Sequence, residues 1–176
     1  MIKIQYQKTA IGEMVFGEYD HQLCLLDFRY RKLRNTVDGR LQKMLACEMI
    51  EAESSVLDSA KIQLSEFLEN QRTGFDLPLL TVGTDFQKEV WQALLKTPYG
   101  QTTSYLELAQ MMGRESSVRA IANANGANAI AVIIPCHRVI GSNGELVGYG
   151  GGLPAKKCLL ELENPKRMIQ AELALA

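Results

Sequence analysis

The chain has 176 residues, 47% hydrophobic and 22% charged, a composition ordinary for a soluble globular protein with one large core or two small ones. It has no apolar run long enough to span a bilayer and no signal-peptide pattern, so we expect a cytoplasmic protein with no membrane partner. The net charge of -1 and isoelectric point near 6.1 exclude the overall basicity of many nucleic-acid-binding proteins, so any DNA binding must rest on local charges such as Arg114, Arg119 and Arg138.

The cysteines and histidines do not form a metal-binding pattern. Four cysteines are widely scattered, and free thiols are the default state in the cytosol. His21 and Cys24 have a spacing that begins some zinc sites, but no second ligand pair follows at a usual distance. We therefore predict no bound metal.

The first 80 residues read as short strands followed by helices. Ile2, Ile4 and Tyr6 alternate with polar residues, as in a half-buried strand, and residues 14–16 and 23–28 predict two more strands. Helices are predicted over residues 40–51 and 55–70, the second beginning at a capping box of Ser55 and Asp58. Residues 75–80 contain Pro78, which indicates an edge strand or a linker.

From Thr84 onward the pattern is mainly helical. Thr84 and Gln87 form a capping box for a helix whose Phe86, Val90 and Leu94 point inward, and which ends by Pro98 and Gly100. Thr103 is the predicted cap of a second helix, closed by Gly113.

A third helix is predicted from Ser116 or Ser117 to Gly126. Two short helices joined by a turn suggest a helix-turn-helix, although an ordinary helical bundle gives the same pattern. The third helix would present four residues to the outside: Arg119, Ala120, Asn123 and Ala124.

Residues 129–134 form an apolar, β-prone run that ends at Pro135-Cys136-His137-Arg138. A turn at residues 141–144 and a glycine-rich loop at residues 148–152 follow it. Pro154 is placed to be the first residue of a last helix, which should end before Pro165.

Cys136 is either a small buried core residue or a nucleophile. A histidine directly after it favours the nucleophile, because a thiolate is the reactive form and a nearby base promotes it. A histidine base often needs a carboxylate behind it, and spacing alone leaves Glu145, Glu161 and Glu163 as candidates.

The segment Ile133-Ile134-Pro135-Cys136-His137-Arg138-Val139-Ile140 resembles the active-site signature of the methylated-DNA–protein-cysteine methyltransferases, also called O6-alkylguanine-DNA alkyltransferases. The likeness extends over residues 86–163, with the Pro98-Tyr99-Gly100 bend, the Ser117-Val118-Arg119-Ala120 helix and the Gly148-Tyr149 loop in the same order. It implies an RNase H-like α/β domain over residues 1–80. It also implies a mainly α alkyltransferase and DNA-binding domain over residues 81–176, with a winged helix-turn-helix-like motif.

The resemblance implies a role for each matching residue. Cys136 matches the acceptor thiol, His137 the residue that takes its proton, Glu163 the carboxylate that orients the histidine, and Asn128 the brace of the active-site turn. Arg119 matches the arginine that fills the space of a flipped nucleotide. The remaining matches, at the helix and the base pocket, are Tyr105, Ala120, Val139, Tyr149 and Gly150.

The implied activity is DNA repair by direct reversal. A monomer would bind double-stranded DNA through the minor groove, rotate an O6-alkylguanine out of the stack and transfer its alkyl group irreversibly to Cys136. No cofactor is implied, because the thiol is the acceptor. Whether O4-alkylthymine is also a substrate stays open.

Three other functions are weighed against this activity: a protein that only binds alkylated DNA, a Cys/His hydrolase, and a transcription regulator built on the helix-turn-helix. The first lacks the acceptor cysteine, which this chain retains. The second gives the DNA-binding helices and Arg119 no role. The third would bind DNA by sequence and be indifferent to lesions.

Overall fold

A computed structural model describes residues 1–164 of the chain. The N-terminal part is built on a sheet, and the C-terminal part is mainly helical. The predicted C-terminal domain spans residues 81–176, so its residues 165–176 lie outside the described residues.

A four-stranded sheet forms the N-terminal part, with strand order β3-β2-β1-β4. Its strands are β1 (Ile2–Thr9), β2 (Gly12–Tyr19), β3 (Gln22–Phe28) and β4 (Met49–Glu51). The first three strands pair antiparallel as a meander, whereas β4 lies parallel to β1. The three predicted strands are confirmed: β1 continues past Tyr6 to Thr9, β2 extends beyond both predicted ends, and β3 begins one residue earlier than predicted.

The helix predicted over residues 40–51 is partly wrong. The observed helix α1 (Arg34–Leu45) begins earlier and ends at Ala46, which adopts a left-handed conformation with φ of 51°. Met49–Glu51 then forms β4, because the edge of β1 offers backbone partners to this segment. Local helix propensity is overridden there by a strand pairing distant in sequence.

Helix α2 (Ser55–Leu68) confirms the predicted helix, but its cap lies one residue earlier than predicted. The Ser54 hydroxyl accepts a hydrogen bond from the Leu57 amide, at 3.4 Å. The segment after α2 is a linker with one strand-like bridge, in which Leu79 pairs with Leu23 at the edge of β3.

The C-terminal part contains four α-helices among the described residues: α3 (Asp85–Leu94), α4 (Tyr105–Met111), α5 (Val118–Gly126) and α6 (Gly152–Glu163). Two short parallel strands, β5 (Thr103–Ser104) and β6 (Val139–Ile140), lie between them. The Thr84–Gln87 capping box is confirmed. Ser104, not Thr103, caps α4: its hydroxyl accepts a hydrogen bond from the Glu107 amide at 3.1 Å, and the Glu107 carboxylate accepts one from the Ser104 amide.

Two further expectations are corrected. Helix α6 begins at Gly152, so Pro154 lies within its first turn and is not its first residue. Ala124 is buried, because the α5 backbone there packs on Trp91, whose indole N–H donates to the Ala124 carbonyl at 2.9 Å. Arg119, Ala120 and Asn123 are exposed on α5 as predicted.

One hydrophobic cluster joins the two parts of the chain. It runs from Phe16 and Leu26 in the sheet, through Leu64 of α2, to Val90 of α3 and Ile134. The site region is thus built on a core that both parts share. None of the helices in residues 1–164 is both long and apolar enough to cross a membrane.

Candidate active site

A cavity of about 330 Å³ opens beside Cys136, within the roughly 300–1,000 Å³ usual for small-molecule sites. The structure brings five of the predicted site residues to its walls: Tyr105, Asn128, Cys136, Tyr149 and Gly150. His137, Glu163 and Val139 are buried and are not among its lining residues. Arg119 and Ala120 are exposed on α5, outside the cavity.

The β-prone run before Cys136 is a buried turn, not a strand. Ile130 forms a single bridge with Leu26, and the chain then reverses through Val132, which has φ of 70°. A β-branched residue disfavours this left-handed conformation, at a cost on the order of 1–3 kcal/mol. Neighbouring contacts must therefore hold the turn in place.

Asn128 supplies those contacts. Its side-chain oxygen accepts a hydrogen bond from the Ile130 amide at 2.9 Å. Its amide nitrogen donates to the Ile134 carbonyl at 2.9 Å and to the Cys136 sulfur at 3.2 Å. One buried amide thus fixes both ends of the turn and the position of the thiol.

The Cys136 thiol is protonated at neutral pH. Burial raises its pKa, and the hydrogen bond from Asn128 opposes this only in part. Only 7% of the residue is exposed. Because the thiolate is the reactive form, the thiol needs a base that acts when substrate is bound.

His137 and Arg138 both bind the carboxylate of Glu163. The His137 Nε2 atom lies 2.7 Å from Glu163 Oε1, while Arg138 donates through Nε to Oε2 at 2.8 Å and through Nη2 to Oε1 at 2.9 Å. Burial alone would raise the pKa of Glu163, but the hydrogen bonds from His137 and Arg138 outweigh it and lower the pKa to about 2. Glu163 is therefore a carboxylate at neutral pH.

This carboxylate determines which histidine nitrogen can accept a proton. Burial lowers the pKa of His137, against the opposing effect of Glu163, so the ring is neutral. An ionised carboxylate only accepts hydrogen bonds, so the single ring proton belongs on Nε2. The other nitrogen, Nδ1, is buried without a hydrogen-bond partner among residues 1–164 and is the basic atom of the ring.

Two tyrosines face the cavity in protonated form. Burial raises the pKa of Tyr105, whose hydroxyl oxygen accepts a 3.4 Å hydrogen bond from the Asn125 amide. Burial also raises the pKa of Tyr149 well above its ordinary value, and its ring packs edge-on against Phe28 at 5.5 Å. Because Asn125 occupies one side of the Tyr105 oxygen, the hydroxyl proton is free to point elsewhere.

The prediction of local positive charge in the C-terminal half of the chain is partly wrong. Arg138 is buried, held by Glu163 and by the Thr97 carbonyl at 2.7 Å, and offers no surface charge. Arg114 is exposed but pairs with Glu89 at 2.7 Å. Arg119 stands on the same stripe of α5 as the cavity-lining Ala122 and Gly126, by helical periodicity.

Two residues of the site region, Lys156 and Arg31, were not among the site residues predicted from the sequence. Lys156 is fully buried in α6 and donates to the carbonyls of Val139 at 2.5 Å and Val147 at 2.8 Å. Burial lowers its pKa to about 8. Its place between Ala155 and Leu159 on the apolar face of the last helix was a usable signal. Arg31, from the N-terminal part, had no such signal.

Known proteins similar to this chain point to one family. Residues 85–165 match the model described as 6-O-methylguanine DNA methyltransferase, DNA binding domain. A methylated-DNA–protein-cysteine methyltransferase of Methanosarcina barkeri is 40% identical over 157 residues, 89% of this chain and 94% of that protein. This chain belongs to the methylated-DNA–protein-cysteine methyltransferase family.

Two matches to Mycobacterium tuberculosis proteins add detail. The Mycobacterium tuberculosis enzyme is 52% identical over 104 residues, which are 59% of this chain and 63% of that relative, less than two thirds of its length. A crystal structure of Mycobacterium tuberculosis OGT in complex with DNA is 36% identical, with a TM-score of 0.78 over 93% of both chains.

The ionised state of Glu163 predicts a specific pH dependence of stability. Its folded-state pKa lies below its ordinary value of 4.5, so its contribution is present above pH 4.5 and is lost as pH falls towards 2. Glu163→Gln should lower the free energy of unfolding on the order of 3 kcal/mol at neutral pH, leaving Arg138 buried and unpaired. Urea unfolding should show that the difference in unfolding free energy between Glu163→Gln and the unmodified protein narrows as the pH falls from 4.5 towards 2.

Glu161→Gln is the matched control, since Glu161 lies on the same helix and is half exposed beside Lys157. It should change stability by less than about 0.5 kcal/mol. Two results would contradict the ionised state of Glu163: equal effects of the two substitutions, or a loss of unfolding free energy in Glu163→Gln that does not depend on pH.

Proposed function

We propose that this protein repairs alkylated DNA by transferring the alkyl group of O6-alkylguanine, irreversibly and once, to Cys136. The observation that carries the proposal is the buried Cys136 thiol at a cavity wall, held by Asn128 and followed directly by a histidine that Glu163 orients. Relatives named for this activity, at up to 52% identity, support it.

The reaction is a single displacement. The proton of the Cys136 thiol passes to His137, whose free Nδ1 is the basic ring nitrogen. The sulfur then attacks the alkyl carbon, an S–C bond forms, and the C–O bond to guanine breaks. The guanine leaves with both bonding electrons, and the neutral hydroxyl of Tyr105 is suited to donate a proton to it.

Each remaining member of the site has a supporting part in this scheme. Glu163 stabilises the positive charge that His137 acquires, and Asn128 aims the sulfur. Tyr149 and Gly150 wall the base pocket. Val139 does not line the cavity, so a contact of this residue with the base stays a prediction.

The proposal requires no cofactor and gives one turnover. The thiol is itself the acceptor, and residues 1–164 place no group beside the product thioether that is suited to cleave it. The transferred group therefore stays on the protein.

The proposed partner is double-stranded DNA. The Mycobacterium tuberculosis relative determined in complex with DNA supports this. Helix α5 would lie in the minor groove, where its exposed Ala120 allows close approach and little sequence information is offered. Arg119 would fill the gap left by the extruded nucleotide, which costs a few kcal/mol to unstack.

We further propose that the two parts are an RNase H-like domain over residues 1–80 and a winged helix-turn-helix-like domain over residues 81–176. The sheet meander with a parallel fourth strand supports the first label. Helices α4 and α5, with the strand pair β5–β6 beside them, support the second. We also propose that the protein acts as a cytoplasmic monomer.

The first prediction of this proposal concerns stoichiometry. With an O6-methylguanine duplex in about tenfold excess, restored guanine should stop at one equivalent per protein, because the thiol is consumed. Cys136→Ala should restore none while still binding the duplex, and the exposed Cys158→Ala should restore one equivalent. Continued turnover would indicate a Cys/His hydrolase, and binding without transfer would indicate a lesion binder or a regulator.

The second prediction concerns Arg119. Arg119→Ala should slow repair of O6-methylguanine in duplex DNA by roughly tenfold or more, because the emptied stack closes again. It should leave the reaction with free O6-benzylguanine nearly unchanged, since no stack has to be opened. Both rates are measured as single-turnover alkylation of the protein.

Arg114→Ala is the control for this second prediction. It removes an equal charge from the same motif, but one that Glu89 already neutralises. Equal losses on duplex and free base for Arg119→Ala, or equal losses for the two variants on duplex, would contradict the role of Arg119.

A further inference from the structure

Arg31 is a buried arginine that the transfer scheme does not use. It follows strand β3 in the N-terminal part, and its side chain is 7% exposed. Its guanidinium pairs with Asp27 at 2.8 Å and donates to the Asn128 carbonyl at 2.9 Å and to the Gly126 carbonyl. One side chain thus joins the sheet to the segment that ends helix α5.

The acceptors of Arg31 lie at the C-terminal end of α5. The last carbonyls of a helix lack partners within it and carry the negative end of its dipole. Arg31 satisfies that of Gly126 and also binds the carbonyl of Asn128 just beyond the helix, and Arg40 of α1 donates to the carbonyl of the capping residue Ala127 between them, at 2.8 Å. The C-terminal end of α5 is therefore held by two cations of the N-terminal part.

Arg31 also contacts the cavity wall. A β-carbon added to Gly150 would lie 3.3 Å from three atoms of the Arg31 guanidinium group, so the loop packs directly on it. Arg31, Asp27 and Phe28 line the same cavity as Cys136. The N-terminal part thus forms one side of the site.

We propose that Arg31 is a positioning residue for alkyl transfer, through which the N-terminal part fixes helix α5, the Asn128 brace of Cys136 and the Gly150 loop relative to one another. The inference rests on the proposed function and adds to it a role for the N-terminal part.

The chemistry of the side chain explains why an arginine occupies this position. A guanidinium is planar and has five N–H donors in a fixed arrangement, so one group can serve a carboxylate and two carbonyls together. Asp27 fixes its orientation and is itself held by Arg34 at 2.9 Å and by the Phe28 amide at 2.9 Å. A lysine has three donors on a single atom and cannot span the same acceptors.

The charge of Arg31 should also affect how the alkylation rate depends on pH. The Arg31 cation favours the Cys136 thiolate, whereas Asp27 disfavours it. Loss of the cation therefore raises the pKa of the thiol further. The pH at which the alkylation rate reaches half of its maximum should then be higher than in the unmodified protein.

The test compares Arg31→Met and Arg31→Lys with the control Arg29→Met. Arg29 lies in the same segment after β3, but its side chain is 40% exposed, pairs with Glu13 at 2.7 Å and is not among the residues that line the cavity. Single-turnover alkylation of Cys136 is measured from acid to alkaline pH, with an O6-methylguanine duplex and with free O6-benzylguanine, beside the melting temperature of each variant.

Arg31→Met should slow alkylation by about tenfold or more on both substrates and move the rate–pH midpoint upward, because misplacement of reacting groups affects any substrate. Arg29→Met should stay within about twofold of the unmodified protein. Loss on both substrates separates Arg31 from Arg119, whose loss affects only duplex.

Rates and pH profiles of Arg31→Met equal to those of the unmodified protein, or an equal loss in Arg29→Met, would overturn the inference. If Arg31→Met does not fold, Arg31→Lys decides: a folded but slowed protein supports the inference, and an unmodified rate overturns it. Failure of the unmodified protein to alkylate Cys136 at all would instead refute the proposed function.

Discussion

The carboxylate of Glu163, at the end of α6, accepts hydrogen bonds from His137, Arg138 and the Gly100 amide. Gly100 can approach this closely because it has no side chain: an added β-carbon would lie 3.0 Å from the Glu163 carbonyl, at φ of +74°. The same carboxylate neutralises a buried arginine, fixes the histidine tautomer and attaches the last helix to the bend after α3. Removing its charge would disturb the fold and the chemistry together.

A second constraint acts on the nucleophile. The turn before Cys136 passes through Val132 in an unfavourable conformation, and the side-chain hydrogen bonds of Asn128 hold it there. The Asn128 backbone is in turn bound by Arg31 of the N-terminal part. The position of the sulfur therefore depends on contacts that run from the sheet, through one asparagine, to the cavity. Through these contacts the N-terminal part contributes to the site and does not merely cover it.

Structural features that depend on residues close together in the sequence could be predicted from it, and features that depend on distant residues could not. The Thr84–Gln87 capping box lies within one helical turn, so its pattern was sufficient. Thr103 and Ser104 are both suitable caps by chemistry, and the pairing of β5 with β6 holds both of them, with Ser104 at the point where the strand ends and α4 begins. Likewise, β4 exists because of its pairing with β1, and Arg31 meets Gly126 across 95 residues of sequence. Sequence spacing could not decide which of three glutamates binds His137. The observed contact with Glu163 agrees with the choice that the family resemblance implied.

The central claim is that Cys136 is a thiol acceptor activated by its neighbour and consumed in the reaction. Incubation with an O6-methylguanine duplex, followed by intact-protein and peptide mass measurement, tests it most directly. The account predicts the mass of one methyl group on the peptide that contains Cys136, saturating at one per protein, with Cys24, Cys47 and Cys158 unmodified. Folded, DNA-binding protein that gains no mass, or a methyl group on another cysteine, would contradict it.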